Sequence, residues 1–160
     1  MRPWESRKRH RRKARSPASA RANDAARSLD GCRRVTALLI VFAGLFGAAG
    51  VAGAAIAAHG GDTRLVAIAA GIALVHAPAL LALAALRPVM PRLSAIAGML
   101  LIAGTLLFSG DLAAREVWGE RLFTNAAPLG GMILIGAWLM TTIAGLIVGM
   151  ARDRSMPPAR

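Results

Sequence analysis

The sequence predicts an all-α, polytopic membrane protein: a bundle of four transmembrane helices that follows a disordered basic N-terminal arm. Three observations predict this class. Hydrophobic residues make up 56% of the 160 residues, four long apolar runs carry almost no charge, and short turns with Gly, Pro or Arg separate these runs. About 20 apolar residues suffice to cross the hydrocarbon core of a bilayer. We expect one transmembrane domain over residues 35–151.

The N-terminal segment, residues 1–34, holds 12 of the 20 Lys and Arg residues of a chain whose net charge is +12. Its apolar residues are sparse and follow no helical period, so it cannot bury enough surface to offset the entropy of ordering. We therefore expect a disordered cytoplasmic arm. Three roles stay open. In the first, the arm only fixes topology or precedes a true start near Val35. In the second, it contacts anionic lipids. In the third, it touches nucleic acid through phosphates without sequence specificity.

The four apolar runs predict helices at residues 36–59, 65–86, 93–112 and 129–150, and residues 152–160 form a short cytoplasmic tail. Charge, glycine or proline closes each run: Gly60-Gly61-Asp62, Arg87-Pro88, Asp111 and Arg152-Asp153-Arg154. A helix at the surface of a soluble core shows a polar face with a period of 3.6 residues. None of the four runs has such a face, and this indicates membrane spans.

The basic residues predict the orientation of the spans. The arm, the connection at 87–92 and the C-terminal tail would share one side and carry most of the arginines, whereas the other side has Arg64, Arg115 and Arg121. Lys and Arg accumulate on the cytoplasmic side of membrane proteins. We therefore expect both termini in the cytoplasm, in a bacterial inner or plasma membrane.

Several short motifs occur in order along the apolar part of the chain. They are Ala54-Ala55-Ile56-Ala57-Ala58-His59, Val75-His76, Leu107-Phe108-Ser109-Gly110, Pro128-Leu129-Gly130-Gly131 and Trp138. Over residues 36–150 this pattern resembles the YgdD/YwdK-type family of small membrane proteins, a domain of unknown function. The chain departs from the family at Val75, where an aromatic residue is usual, and at Ala137, where glycine is usual. The resemblance implies a four-helix membrane protein and brings no catalytic residue or cofactor.

Small residues recur at helical spacing in the first and fourth predicted helices. They are Gly44, Gly47, Gly50 and Gly53, every three residues, and Ala137, Thr141, Gly145 and Gly149, every four. Ridges of small side chains let membrane helices approach closely. We expect these ridges to pack within the bundle, and the alternative is an interface between copies of the chain.

His76 is predicted at the centre of the second helix, two residues before Pro78. An ionisable group at mid-bilayer is costly and often functional. However, Pro78 cannot donate to the Leu74 carbonyl. A neutral imidazole, or a buried water beside it, could reach this freed carbonyl or Thr and Ser hydroxyls on neighbouring helices. We favour the interpretation that His76 is structural, and the alternative is that it handles a proton or a ligand.

His59, Asp111 and Arg115 are predicted near the outer ends of the first and third helices, level with the start of the fourth. Asp111 and Arg115 are four residues apart and can pair along a helix. We expect an interfacial polar cap, with a small outward-facing site as the alternative. One histidine and one or two carboxylates are too few ligands for a metal.

No nucleophile beside a base and no phosphate-binding loop is visible in the sequence. We expect a non-enzymatic protein without cofactor that acts by packing or interaction in the inner membrane. Its expected partners are membrane lipids, further copies of the chain or another membrane protein, and specific nucleic acid binding is not expected. The alternative function is a small transporter or channel component in which His76 is the proton-sensitive element.

The distribution of arginines gives a testable topology. Reporter fusions after Arg92 and after Arg154 should report the cytoplasm, and a fusion near Glu120 should report the external side, because the basic residues cluster accordingly. Paired alkaline phosphatase and fluorescent protein fusions measure this. An external C-terminal reporter would contradict the orientation.

Overall fold

The structure, a computed structural model, describes residues 17–60 and 63–153, and within these ranges the regular structure is all α-helical. The helices are α1 (Pro17–His59), α2 (Arg64–Leu86), α3 (Pro91–Trp118) and α4 (Ala126–Asp153). Contacts divide the chain into two units, Met1–Gly31 and Cys32–Arg160. The packing described below lies within the second unit.

Each helix contains a candidate membrane span. The spans are Leu29–His59, Arg64–Leu86, Pro91–Trp118 and Ala126–Ile147, and their most apolar windows have mean hydropathies from 1.8 to 2.3. All four exceed the length of about 20 residues that a transmembrane helix needs. The predicted class, an all-α protein with four transmembrane helices, is therefore confirmed.

The structure differs from the sequence prediction before Val35. Residues 17–34 are helical and continue into the first span, although the whole arm was expected to be disordered. Alanine and arginine, which are frequent here, have high helix propensity. A helix that already exists can also extend without forming a new nucleus. Residues 1–16 of the predicted arm and most of the predicted tail, residues 154–160, lie outside the described residues.

Helices α3 and α4 extend beyond their predicted positions. Helix α3 continues to Trp118 rather than residue 112, and α4 begins at Ala126 rather than residue 129. The charge of Asp111 does not end α3, because Arg115 pairs with it on the same helix. The end is set by Gly119, which has a left-handed φ of 74° and donates its N–H to the Arg115 carbonyl. Pro128 fits in the first turn of α4, where its missing N–H has no helical partner to lose.

The contact between α3 and α4 brings two backbones together. An added Cβ on Gly130 would lie 2.6 Å from the backbone nitrogen of Phe108 and 2.9 Å from the carbonyl oxygen of Gly104. On the other helix, a Cβ on Gly104 would meet Leu134 at 2.7 Å. Backbone atoms cannot move aside as a flexible side chain can. This crossing therefore requires glycine at residue 130.

Helix α1 packs against α2 and α3 at different heights. A Cβ on Gly50 would lie 2.5 Å from the Leu74 side chain of α2, and one on Gly53 would lie 2.9 Å from the Ala70 Cβ. Nearer the start of the span, Leu39 is fully buried and covers Gly98 of α3. The span of α1 thus packs against α3 near its start and against α2 further along the helix.

The two predicted ridges of small residues are only partly inside the bundle. A Cβ on Gly47 would make ordinary contact with Ala77 at 3.8 Å, but one on Gly44 or Gly145 would meet none of the described residues within 4 Å. Ala137 is fully buried, and Thr141 is half-buried and donates to the Ala137 carbonyl. The packing around Gly149 is outside what the structure describes.

The prediction of packing within the bundle is therefore wrong for Gly44 and Gly145. The reason is geometric. With 3.6 residues per turn, a four-residue step turns the helix face by about 40° and a three-residue step turns it by about 60° the other way. Over several steps, each ridge rotates from the bundle interior toward the surrounding medium.

The glycine contacts predict a position-dependent effect of adding one methyl group. Gly130→Ala should lower the free energy of unfolding by about 1–3 kcal/mol, because the added Cβ must displace backbone. Gly136→Ala on the same helix is the matched control, since its Cβ would lie more than 4 Å from the rest of the described structure. The control should be neutral or slightly stabilising, because alanine is the better helix former. Thermal unfolding in detergent measures both, and equal melting temperatures would contradict the proposed contact.

Candidate functional site

His76 of α2 is 4% exposed and lies inside the bundle. Its Nδ1 is 2.7 Å from the carbonyl oxygen of Ile72, and its Nε2 is 3.2 Å from the indole nitrogen of Trp138. A carbonyl only accepts a hydrogen bond and an indole N–H only donates one. Nδ1 therefore carries the hydrogen, and Nε2 is the acceptor. This arrangement satisfies both nitrogens of a neutral imidazole.

The acceptor for His76 is not the one expected from the sequence. The sequence suggested the Leu74 carbonyl, which faces Pro78, or hydroxyls on neighbouring helices, whereas the imidazole donates to the Ile72 carbonyl, four residues before the histidine. Side chains on a helix point toward its N-terminus, so the carbonyl one turn back is the one within reach. The contact is therefore local to α2, and Pro78 is not needed for it.

Trp138 is the functional partner that sequence reasoning missed. In the sequence it was noted only as part of the family resemblance, but it donates to a histidine 62 positions earlier in the chain. Its ring centroid is 6.1 Å from that of His76, with the planes tilted by 57°. The indole is 44% exposed, so one edge contacts the surroundings while the N–H points inward. The pair links α2 to α4 in the middle of the spans.

Asp111 and Arg115 form an ion pair near the end of α3. The aspartate is fully buried, and the arginine side chain is 25% exposed. The second carboxylate oxygen of Asp111 accepts the backbone N–H of Leu122 at 2.9 Å. One buried carboxylate thus pairs with a charge on its own helix and fixes the connection between α3 and α4. Breaking such a buried pair is strongly destabilising, because it leaves an uncompensated charge.

His59 does not share the buried environment of the Asp111–Arg115 pair. It is exposed at the end of α1, whereas Asp111 is buried. Nearby, the Thr63 hydroxyl donates to the Ala57 carbonyl at 3.1 Å and so satisfies an acceptor at the end of α1. Within residues 17–60 and 63–153, no three His, Cys, Asp or Glu side chains are arranged to hold a metal ion.

Arg87 is a second buried charge that the sequence analysis used only to predict topology. It is 5% exposed and donates to the carbonyls of Pro91 at 3.0 Å and Cys32 at 3.3 Å. These two bonds connect α1 to the turn between α2 and α3. No local sequence signal identifies this role, because Cys32 and Arg87 are 55 residues apart.

A cavity of about 410 Å³ lies between α1, α2 and α3, and its lining is almost entirely apolar. Its polar lining residues are Thr105, Ser109 and Glu116. The Ser109 hydroxyl donates to the Ala69 carbonyl at 3.0 Å and joins α3 to α2. The Thr105 hydroxyl is buried without a hydrogen-bond partner in the described part of the chain.

These features define the class of the protein: a polytopic membrane protein with four candidate spans, in which the buried polar side chains mainly join helices and connections. The chain matches the model of a family described as "Protein of unknown function (DUF423)" over residues 43–131. This match covers more than half of the 160 residues, and the chain belongs to that family. YgdD and YwdK are members of the same family, so the predicted family is confirmed. Neither the curated proteins nor the solved structures contain a match to the chain.

The His76–Trp138 contact predicts energetic coupling between α2 and α4. Trp138→Phe should lower the free energy of unfolding by about 1–3 kcal/mol, because it leaves a buried acceptor unpaired. In a His76→Leu background, the same substitution should cost clearly less, since the acceptor is already gone. A double-mutant cycle on detergent-purified protein measures the coupling. Additive effects of the two substitutions would contradict the hydrogen bond.

Proposed function

We propose that the protein acts without catalysis, as a packing or interaction protein of a bacterial inner or plasma membrane. The observation that carries this proposal is the state of His76. A proton relay needs a nitrogen that can exchange its proton with water or another carrier, but both nitrogens of His76 are bonded inside the bundle. Protonation of Nε2 would place two donors face to face, because the indole N–H of Trp138 points at it.

The other buried polar groups support the same proposal. Asp111 is engaged by Arg115 and by the Leu122 backbone, and Arg87 by two carbonyls. A transport path would need consecutive polar groups or water-filled space through the bilayer. The cavity between α1, α2 and α3 has an apolar lining instead.

The outward faces of the helices support a role in interaction. Among the residues that the structure describes, a Cβ on Gly44 of α1, Gly71 of α2 or Gly136 and Gly145 of α4 would have no neighbour within 4 Å. At such positions another membrane helix can approach the backbone closely. The partner class that fits these faces is a transmembrane helix, either of a second copy or of another membrane protein.

The proposed orientation has both termini in the cytoplasm, and it rests on the arginines. In this orientation the basic residues of the N-terminal arm face the cytoplasmic leaflet. Each Lys or Arg close to an anionic leaflet contributes about 1 kcal/mol of attraction. Contact of the arm with anionic lipids would thus keep the start of the first span at the membrane surface.

Proton flux in liposomes tests the proposal against the transport alternative. Wild-type protein, His76→Ala and the neighbouring exposed control Val75→Ala should all give the flux of empty liposomes, because the histidine is not accessible to a proton pathway. A pH-sensitive dye inside the liposomes measures the flux under an imposed potential, and a proton-conducting peptide serves as the positive control. Protein-dependent flux in the wild type would contradict the proposal, and its loss in His76→Ala alone would assign transport to that residue.

A further inference from the structure

The cavity between α1, α2 and α3 is a groove with a floor and two rims. Ala69, Ala70 and Ala73 of α2 are buried and form the floor. Ala49 and Ala52 of α1 and Ala113 of α3 also line the cavity, but they are exposed. The space therefore opens sideways between α1 and α3. In a membrane, this opening faces lipid chains.

The groove occupies only one half of the membrane thickness. Its lining on α3 runs from Thr105 to Val117, which is about 18 Å at 1.5 Å per residue. One leaflet contributes about 15 Å of the hydrocarbon core. In the other half, the gap between α1 and α3 is closed, because Leu39 packs onto Gly98.

This length identifies the kind of occupant. A transmembrane helix of another chain is about 10 Å wide and crosses the full core, so it would extend beyond the closed end of the groove. A single acyl chain of a lipid extends from the interface to the midplane, as the groove does. The volume of about 410 Å³ lies in the range of about 300–1,000 Å³ that is typical of small-ligand sites.

The charged side chain in the lining of the groove is Glu116, in the half of the bundle opposite the Leu39–Gly98 contact. Glu116 lines the cavity and is exposed, and within the described ranges the ion pair at this end belongs to Asp111 and Arg115, not to Glu116. Trp118, two residues further on, is 73% exposed, as aromatic residues at a membrane interface often are. A carboxylate at headgroup level attracts an ammonium group and repels a net negative headgroup.

We infer that this groove binds one phospholipid with an ethanolamine headgroup, in the leaflet that contains the connection between α3 and α4. One acyl chain lies on the alanine floor of α2, and the ammonium group faces Glu116. This site is distinct from the anionic lipid contact of the N-terminal arm, and it does not depend on the outcome of the flux experiment.

Native mass spectrometry of the full-length protein in mild detergent tests the inference. The purified protein is titrated with phosphatidylethanolamine or phosphatidylglycerol of identical acyl chains. The wild type should retain one lipid per chain and prefer phosphatidylethanolamine. Ala113→Phe should weaken this binding by about tenfold or more. The added ring displaces part of the acyl chain from the groove, and the loss of two buried methylene groups already accounts for about that factor. Ala103→Phe is the matched control, since Ala103 is exposed on α3 and does not line the groove.

Two further variants keep the test decisive. Ala52→Phe fills the groove from α1, so it gives the expected loss of lipid even if Ala113→Phe fails to fold. Glu116→Gln should keep the bound lipid and lose the headgroup preference. Equal lipid retention by the wild type and the folded groove-filling variants would overturn the inference. A wild type that prefers phosphatidylglycerol, or a groove filled by a second copy of the chain, would overturn it as well.

Discussion

The hydrocarbon core offers no water to a polar group, and this constraint organises the inside of the protein. In the described part of the chain, each buried ionisable side chain has at least one hydrogen-bond partner supplied by the chain itself. His76 bonds to the Ile72 carbonyl and to Trp138, Asp111 to Arg115 and a backbone N–H, and Arg87 to two carbonyls. Because most of these partners lie on another helix or connection, the need to satisfy polar groups also determines which elements meet.

Close helix contact is the second consequence of the lipid environment. Lipid chains are as apolar as leucine, so hydrophobicity does not drive the helices together and packing has to. Gly104 and Gly130 let α3 and α4 meet at backbone distance, whereas Gly50 and Gly53 of α1 leave room for the side chains of Leu74 and Ala70 on α2. Helix α1 cannot be equally close to both neighbours along its whole length. The groove therefore opens where α1 follows α2 and separates from α3.

The arrangement of polar groups connects the fold to the proposed role. The buried side chains tie helices together, and this structural use of them supports the proposal of a protein that acts through its surfaces. Two kinds of surface are present: outward faces with open glycines on α1, α2 and α4, and an apolar groove with Glu116 at its mouth. The first fits a transmembrane helix, and the second fits a lipid.

The sequence by itself determined the class, the family and the number of spans, because hydrophobic length is a local property of the chain. Its spacing also allowed Asp111 and Arg115 to pair on one helix, although only the structure showed that α3 continues past residue 112. Only the tertiary structure decided which glycines are buried, because Gly130 and Gly145 have similar surroundings in the sequence and differ in the backbone that approaches them. Likewise, only the tertiary structure showed that Trp138 is the partner of His76 and that the Cys32 carbonyl is an acceptor for Arg87. Contacts between residues 62 and 55 positions apart depend on how the helices pack, and this packing leaves no periodic signal in a single sequence.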